Sequence, residues 1–233
     1  AQGDATLEKA VYGLYARNDI VHPDGITGVI YKAGEQVATL TTDKNGQASV
    51  DGLYLGDYYV KEISPSVGYL ADETEHDLVC NYEGDLVAEV KRDCTSLEQV
   101  MKQPFQIIKA ANNGKTDADL LKGAGFTAYL ESSLTKKADG NYEFASATPV
   151  VIGENGATEM FTDEKGYACS IALPYGTYIV RETTTPHNYT PVDDFTVRIT
   201  ENNPNQPQTW RVLLDDEFEA KLKIIKQDDE TKK

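Results

Sequence analysis

Alternation of apolar and polar residues, rather than a helical spacing, runs through most of this chain. In Gly56-Asp57-Tyr58-Tyr59-Val60-Lys61-Glu62 and Gly176-Thr177-Tyr178-Ile179-Val180-Arg181-Glu182, aromatic and β-branched residues lie between Gly or Pro boundaries, the pattern of strands with one face buried. Turn signals at Asn45-Gly46, Asp139-Gly140 and Lys165-Gly166 punctuate such runs at the spacing of an all-β sandwich. The one helix-like stretch, from Ser96 to Lys102, reads as a short helical turn or an irregular connector.

The pattern then repeats. Leu7-Glu8-Lys9-Ala10-Val11-Tyr12 recurs at an offset of 114 as Leu121-Lys122-Gly123-Ala124-Gly125-Phe126, and Tyr15 as Tyr129. At an offset of 120, Thr42-Asp43 with Asn45-Gly46 recurs as Thr162-Asp163 with Lys165-Gly166, while Gly56, Tyr58, Val60 and Glu62 recur as Gly176, Tyr178, Val180 and Glu182. Two copies of one module explain this better than a single irregular domain. The offset grows by six residues near Lys136 to Asn141, where a hairpin loop is the simplest place for an insertion.

Composition narrows the function. No apolar run reaches the roughly 18 residues that a membrane helix needs. The opening AQGDATLEKA has no basic segment followed by an apolar one, so an export signal or anchor is expected outside this segment. A net charge of −16, scattered along the chain, argues against nucleic acid and anionic membranes as partners. Three cysteines are too few for a disulfide scaffold and lack metal-ligand spacing. Cys169 shares an alternating apolar face with Tyr167, Ile171 and Leu173, which reads as a buried thiol. Cys80 and Cys94 fall in neighbouring predicted strands, which leaves them free or paired. His22, His76 and His187 each sit beside a turn residue or a charge, with no partner at ligand spacing, and read as surface or loop histidines. There is no phosphate loop, nucleophile elbow or zinc motif, so no metal, no cofactor and no enzymatic turnover are expected.

One set of residues rises above this background, because strand parity would bury charges. In Phe105-Gln106-Ile107-Ile108-Lys109, Lys109 shares a face with Phe105 and Ile107, and Glu182 shares one with Tyr178 and Val180. The run Trp210-Arg211-Val212-Leu213-Leu214-Asp215-Asp216 ends an apolar strand in acid. Such charges are expensive to bury unless paired. On parity alone, charges that reach solvent at strand ends are an equal reading.

These blocks resemble the Cna-type B domains, also called SpaA-like domains, of Gram-positive surface adhesins and pilins. That family shows an opening strand ending in Lys, a Leu-x-Gly-Ala-x-Phe block, a Thr-Asp-x-x-Gly turn, and a Gly-x-Tyr-x-x-x-Glu strand followed shortly by Pro. Lys109, Leu121 to Phe126, Thr162-Asp163 with Gly166, Gly176 to Glu182, and Pro186 match it in the second copy. The resemblance implies two tandem Ig-like or prealbumin-like β-sandwich modules. It makes Lys109 the amine, Glu182 the carboxyl that assists, and an acid near the end of the last strand the acceptor of an intramolecular isopeptide bond. Burial disfavours charge, so a neutral amine would attack a carbonyl polarised by a protonated carboxyl. The family usually shows Asn-x-Pro-aliphatic at the acceptor, whereas this chain has Asp215-Asp216-Glu217-Phe218. Family spacing selects Asp215. Parity from Trp210, Val212 and Leu214 selects Asp216, and a bulge at the strand end would reconcile the two in favour of Asp215.

In the first copy the lysine matching Lys109 would lie upstream of Ala1, while Glu62 keeps the assisting position. The acceptor position falls on Lys102, with Asp93 as the nearby acid. The tail Lys221 to Asp229 looks like another opening strand, with Lys226 at the Lys109 position. The expected organisation is a first module at 1–101, a second at 102–218, and the opening strand of a third at 219–233. The resemblance points to an extracellular, cell-wall-attached stalk whose partners are flanking modules of the same protein. An adhesive module that binds a host matrix protein or glycan is the alternative, which an aromatic cluster on one face would favour. Head-to-tail self-association, with the tail of one chain on the first module of another, is a further expectation.

Overall fold

The computed structural model describes residues 2–115, 119–220 and 222–224. The first repeat carries β1 (Val11–Ala16), β2 (Ile20–Val21), β3 (Val29–Tyr31), β4 (Gln36–Thr41), β5 (Gly56–Ser64) and β6 (Glu75–Cys80). Four of these form an antiparallel sheet in the order β4-β1-β5-β6, and β2 pairs with β3 as a hairpin. The second repeat runs β7 (Lys102–Gln103), β8 (Gln106–Asn112), β9 (Gly125–Leu130), β10 (Thr135–Lys136), β11 (Tyr142–Glu143), β12 (Glu159–Phe161), β13 (Tyr167–Cys169), β14 (Leu173–Pro174), β15 (Gly176–Thr184), β16 (Phe195–Ile199) and β17 (Arg211–Asp216). Its sheet β12-β9-β15-β16 reproduces the order of the first. A second sheet, β13-β8-β17, packs across it, with β8 antiparallel to β13 and parallel to β17.

Matching local bonds set the two repeats to one design. Thr42 Oγ1 donates to Leu7 O (2.6 Å) and accepts from Ala10 N (2.9 Å), as Thr162 Oγ1 does with Leu121 O (2.7 Å) and Ala124 N (3.0 Å). Tyr58 and Tyr178, both buried at the centre of their sheets, donate their hydroxyls to Tyr54 O and Pro174 O. Each thus buries a large ring while its polar end stays satisfied. The six-residue excursion folds as the β10–β11 hairpin, closed by the Asp139-Gly140 turn with Gly140 at a positive φ of 88°, where glycine carries no steric penalty.

The repeats differ in their cores. The second buries Phe105, Ile107, Phe126, Ile152, Leu173, Tyr178, Val180, Val197 and Ile199 between two sheets. The first buries only Leu14, Ala16, Ile20, Tyr58 and Val60 as its main cluster. Residues 47–55 and 81–99, which flank the place of the second sheet, form no strand. The cause is topological: β8 is the central strand of its sheet, and without a counterpart among the described residues neither flank has a strand to pair with.

Several expectations are corrected. The stretch from Ser96 to Lys102 is irregular, ending in an isolated bridge from Val100 to Tyr69 before β7 begins at Lys102. Cys94 lies in the irregular segment rather than in a strand, and Cys80, Cys94 and Cys169 are all free thiols. Cys169 is only half-buried, because Ala168 and Ser170 take the inward face. Ser170 Oγ accepts from the buried Phe105 N (2.9 Å), which leaves the larger side chains on the outer face. His76 lies within β6 rather than in a loop, while His22 and His187 are loop residues. No cluster of potential metal ligands occurs among the described residues.

Candidate functional site

Lys109 sits in the middle of β8, and its side chain is wholly buried. The backbone is pinned on one side: Lys109 N donates to Gly166 O (2.7 Å), and Lys109 O accepts from Leu121 N (2.9 Å). A Cβ at Gly166, whose φ is +64°, would come within 2.3 Å of Lys109 O, so this turn requires glycine. Across the strand, Lys109 lies beside Leu213 in the parallel ladder, and Asp215 lies two residues further along β17. Side chains two apart share a face, which brings the carboxyl of Asp215 to the amine.

Glu182 approaches from the opposite sheet, on β15. Its Oε2 accepts from Lys109 Nζ at 2.8 Å and from Val192 N at 3.0 Å. Lys109 Nζ also donates to Asp215 Oδ1, and all three side chains are completely withdrawn from solvent. The ring of Phe126 lies 5.8 Å from the amine. Burial pushes the Asp215 carboxyl up to about 6, against the pull of Lys109 and with a further push from Glu182. Glu182 Oε1 and Asp215 Oδ2 are both buried without a hydrogen-bond partner. Burial therefore favours the protonated form of the Asp215 carboxyl. The arrangement can hold an amine against a protonated acyl group, with a second carboxyl in reach to move protons.

β17 is regular through Asp216, with no bulge. The parity argument for Asp216 fails because Trp210, Val212 and Leu214 form the solvent face, 55%, 63% and 47% exposed, while Leu213 packs on the core and Asp215 is 1% exposed. Asp216 lies outside, accepting from Asn112 Nδ2 at 2.7 Å.

In the first module, Glu62 Oε2 accepts from Asp72 N (2.8 Å), the counterpart of the Glu182–Val192 bond. Burial pushes the Glu62 carboxyl up, with Glu98 adding to the effect while the Asp72 amide opposes it. Asp93 is exposed in the irregular segment. The acid near Glu62 is Glu98, whose Oε1 accepts from Tyr12 OH (2.8 Å) and Ser96 Oγ (2.6 Å). Glu98 follows Glu62 by 36 residues, where Asp215 follows Glu182 by 33, a spacing signal that the Lys102 register obscured. Lys226 lies outside the described residues, and Leu222 to Ile224 are irregular.

Comparison with known proteins bears on the fold. A family described as SpaA, a prealbumin-like fold domain, matches residues 1–93 and again 104–211. Among solved structures, the Bacillus anthracis TIE protein is 23% identical with a TM-score of 0.54, over 91% of this chain and 32% of that one. The chain thus spans about a third of that structure. GBS52, the minor pilin of Streptococcus agalactiae, is 16% identical with a TM-score of 0.42, over 94% and 87% of the two chains. The shaft pilin SpaA from Lactobacillus rhamnosus GG is 20% identical with a TM-score of 0.35, over 92% and 87%. No curated protein sequence matches the chain.

Proposed function

The chain belongs to the SpaA family of prealbumin-like fold domains, carrying two in tandem, and from that premise we propose that it is a stalk segment of a Gram-positive pilin or adhesin in which Lys109 and Asp215 condense into an isopeptide bond. Family membership makes it a structural module of the pilin or surface-protein kind. The observation that carries the rest is the buried contact of Lys109 Nζ with both Glu182 and Asp215.

The chemistry balances within the triad. A proton passes from the amine to the carboxyl pair, the neutral amine attacks the protonated Asp215 carboxyl, and Glu182 donates a hydrogen bond to the developing oxyanion. The N–C bond forms as the C–O bond breaks, and water leaves. Fixed proximity supplies much of the acceleration. The event happens once per molecule, which is self-modification rather than turnover.

The product suits a stalk. β8 and β17 are parallel neighbours, and tension applied along the chain would shear them apart. A covalent tie between them would carry that load past the intervening residues. The modules are also fastened to each other: Asp4 N donates to Tyr175 O (2.9 Å), Thr177 N to Asp4 Oδ2 (3.0 Å), and Tyr175 N to Met101 O (2.8 Å). A Cβ at Gly68 would meet both Ala5 and Tyr175 within 3 Å. We take the modules as 1–101 and 102–218, with 219–233 leading into a further one, in an extracellular, wall-attached protein. No helix among the described residues is long and apolar enough to cross a membrane. The solvent-facing stripe of Trp210, Val212 and Leu214 is the feature that favours a second reading, an adhesive surface for a host protein or glycan. A binding screen of wild type against Trp210→Ala tests it.

Intact mass tests the bond. Wild type should fall about 18 Da below the sequence mass, the water lost on condensation. Glu182→Ala should restore the full mass, and Asp216→Ala should keep the loss. A wild-type chain at its full sequence mass would sink the proposal.

A further inference from the structure

The loop from β16 to β17, residues 200–210, is irregular but pinned along its length to the strands beside it. Asn203 N donates to Lys102 O and Gln208 N to Pro104 O, both at 2.9 Å. Lys102 N donates to Asn202 Oδ1 (3.1 Å), Gln103 Nε2 to Gln206 O (3.2 Å) and Gln106 Nε2 to Gln208 O (2.8 Å). A loop fixed in this way has little left to order when a ligand arrives. It borders a hollow of about 610 Å³ whose lining includes Gln103, Glu201, Asn203, Gln206, Trp210 and Arg211. That volume falls within the roughly 300–1,000 Å³ of small-ligand clefts.

Two side chains of the lining point to the chemistry of a ligand. Arg211 is half-buried, and burial holds its guanidinium below its ordinary pKa. Among the described residues its side chain makes one hydrogen bond, from Nη1 to Gln208 Oε1 (3.1 Å), and no carboxylate pairs with it. Glu201, the acid of the lining, instead accepts from Asn203 Nδ2 (3.2 Å). A guanidinium carries five N–H donors in a planar fork that fits a carboxylate two at a time. Partly desolvated and without a counter-charge, this one favours an anion. Trp210 beside it is more than half exposed, and its ring is backed by that of Tyr167 at 5.3 Å. An exposed indole offers a flat platform for an amphipathic ring. Side-chain amides both donate and accept hydrogen bonds, as sugar hydroxyls do.

We propose that this hollow binds a glycan through a sugar residue that bears a carboxylate, with the carboxylate on Arg211, the sugar ring on Trp210 and the hydroxyls on the amide side chains of the lining. Charge selects this class over other anions. Arg211 is the one cation in the lining, and the chain carries a net charge of −16, so a densely sulfated or phosphorylated polymer would be repelled. A carboxylate set apart among neutral hydroxyls would not. The proposal rests on the adhesive reading, to which it gives a ligand class. It is separate from the isopeptide bond, since Arg211 precedes Asp215 by four residues, about 13 Å along an extended strand.

Trp210 is the single tryptophan of the chain, so its fluorescence reports on this hollow in the full chain. Titration with the methyl glycosides of glucuronic, galacturonic and N-acetylneuraminic acid should give a saturable change with at least one of them. The uncharged counterpart of that sugar, its methyl ester, should bind about tenfold or more weakly. Arg211→Gln, checked for native far-UV circular dichroism, should bring the acid down to the level of the ester. Arg181→Gln, which removes an arginine already paired with Asp194 (2.9 Å), should leave the preference unchanged. Equal binding of acid and ester, a preference that survives Arg211→Gln, or an equal response to N-acetylglutamate overturns the proposal. So does the absence of a response to all three sugar acids. If a host matrix protein still binds wild type and not Trp210→Ala in that last case, the adhesive reading stands without this ligand class.

Discussion

Asp215→Ala should leave the second module folded but lower its unfolding free energy by about 5 to 8 kcal/mol, read from denaturant titration of an intrinsic Tyr or Trp signal. Two effects combine. Without the acceptor no cross-link closes the loop between residues 109 and 215, which are 106 positions apart. By analogy with a disulfide this loop contributes about 4 to 5 kcal/mol. The substitution also leaves the Lys109 amine buried with Glu182 as its remaining counter-charge, a further cost of a few kcal/mol. Asp215→Asn separates the two effects. Its side-chain amide can lose ammonia where the acid loses water, so the same Lys–acyl bond forms and the final mass equals that of wild type. Stability should return with it. Asp216→Ala removes a single exposed hydrogen bond to Asn112 and should cost under about 1 kcal/mol. A wild-type denaturation midpoint for Asp215→Ala would refute the assignment of the acceptor.

Much of this site was legible in the sequence because β8 and β15 are interior strands. Phe105, Ile107, Tyr178 and Val180 face the core, so period-two parity carried Lys109 and Glu182 to the right face. β17 defeats the same rule. It pairs within its sheet on one side only, and the large apolar residue just before it packs outside the core, where the ring of Trp210 lies 5.3 Å from that of Tyr167. Apolar residues therefore mark its outer face, and counting them selects Asp216. Residues 167–171 mislead in the same way, since the inward residues are small: Ala168, and a Ser170 whose hydroxyl satisfies a buried amide. Glu98 was beyond reach for a different reason. It lies in an irregular segment, where no periodicity assigns a face, and only a fold that brings it near Glu62 gives it significance.

In a dilute, monomeric sample, backbone amides of residues 10–90 should exchange with deuterium about a hundredfold or more faster than those of residues 105–215. Local opening is resisted by the apolar contacts that an element loses on opening, and these differ between the modules. β9 and β15 are covered by β8 and its neighbours, with Phe105 and Ile107 fully buried beneath. β1 and β5 have the same pairing within their own sheet, but no strand covers that face among the described residues. Tyr12, Leu40 and Leu53 are left only partly buried. Equal protection of the two modules in a monomeric sample would mean that one sheet suffices to hold the first module closed, and its uncovered face would then have no bearing on local stability.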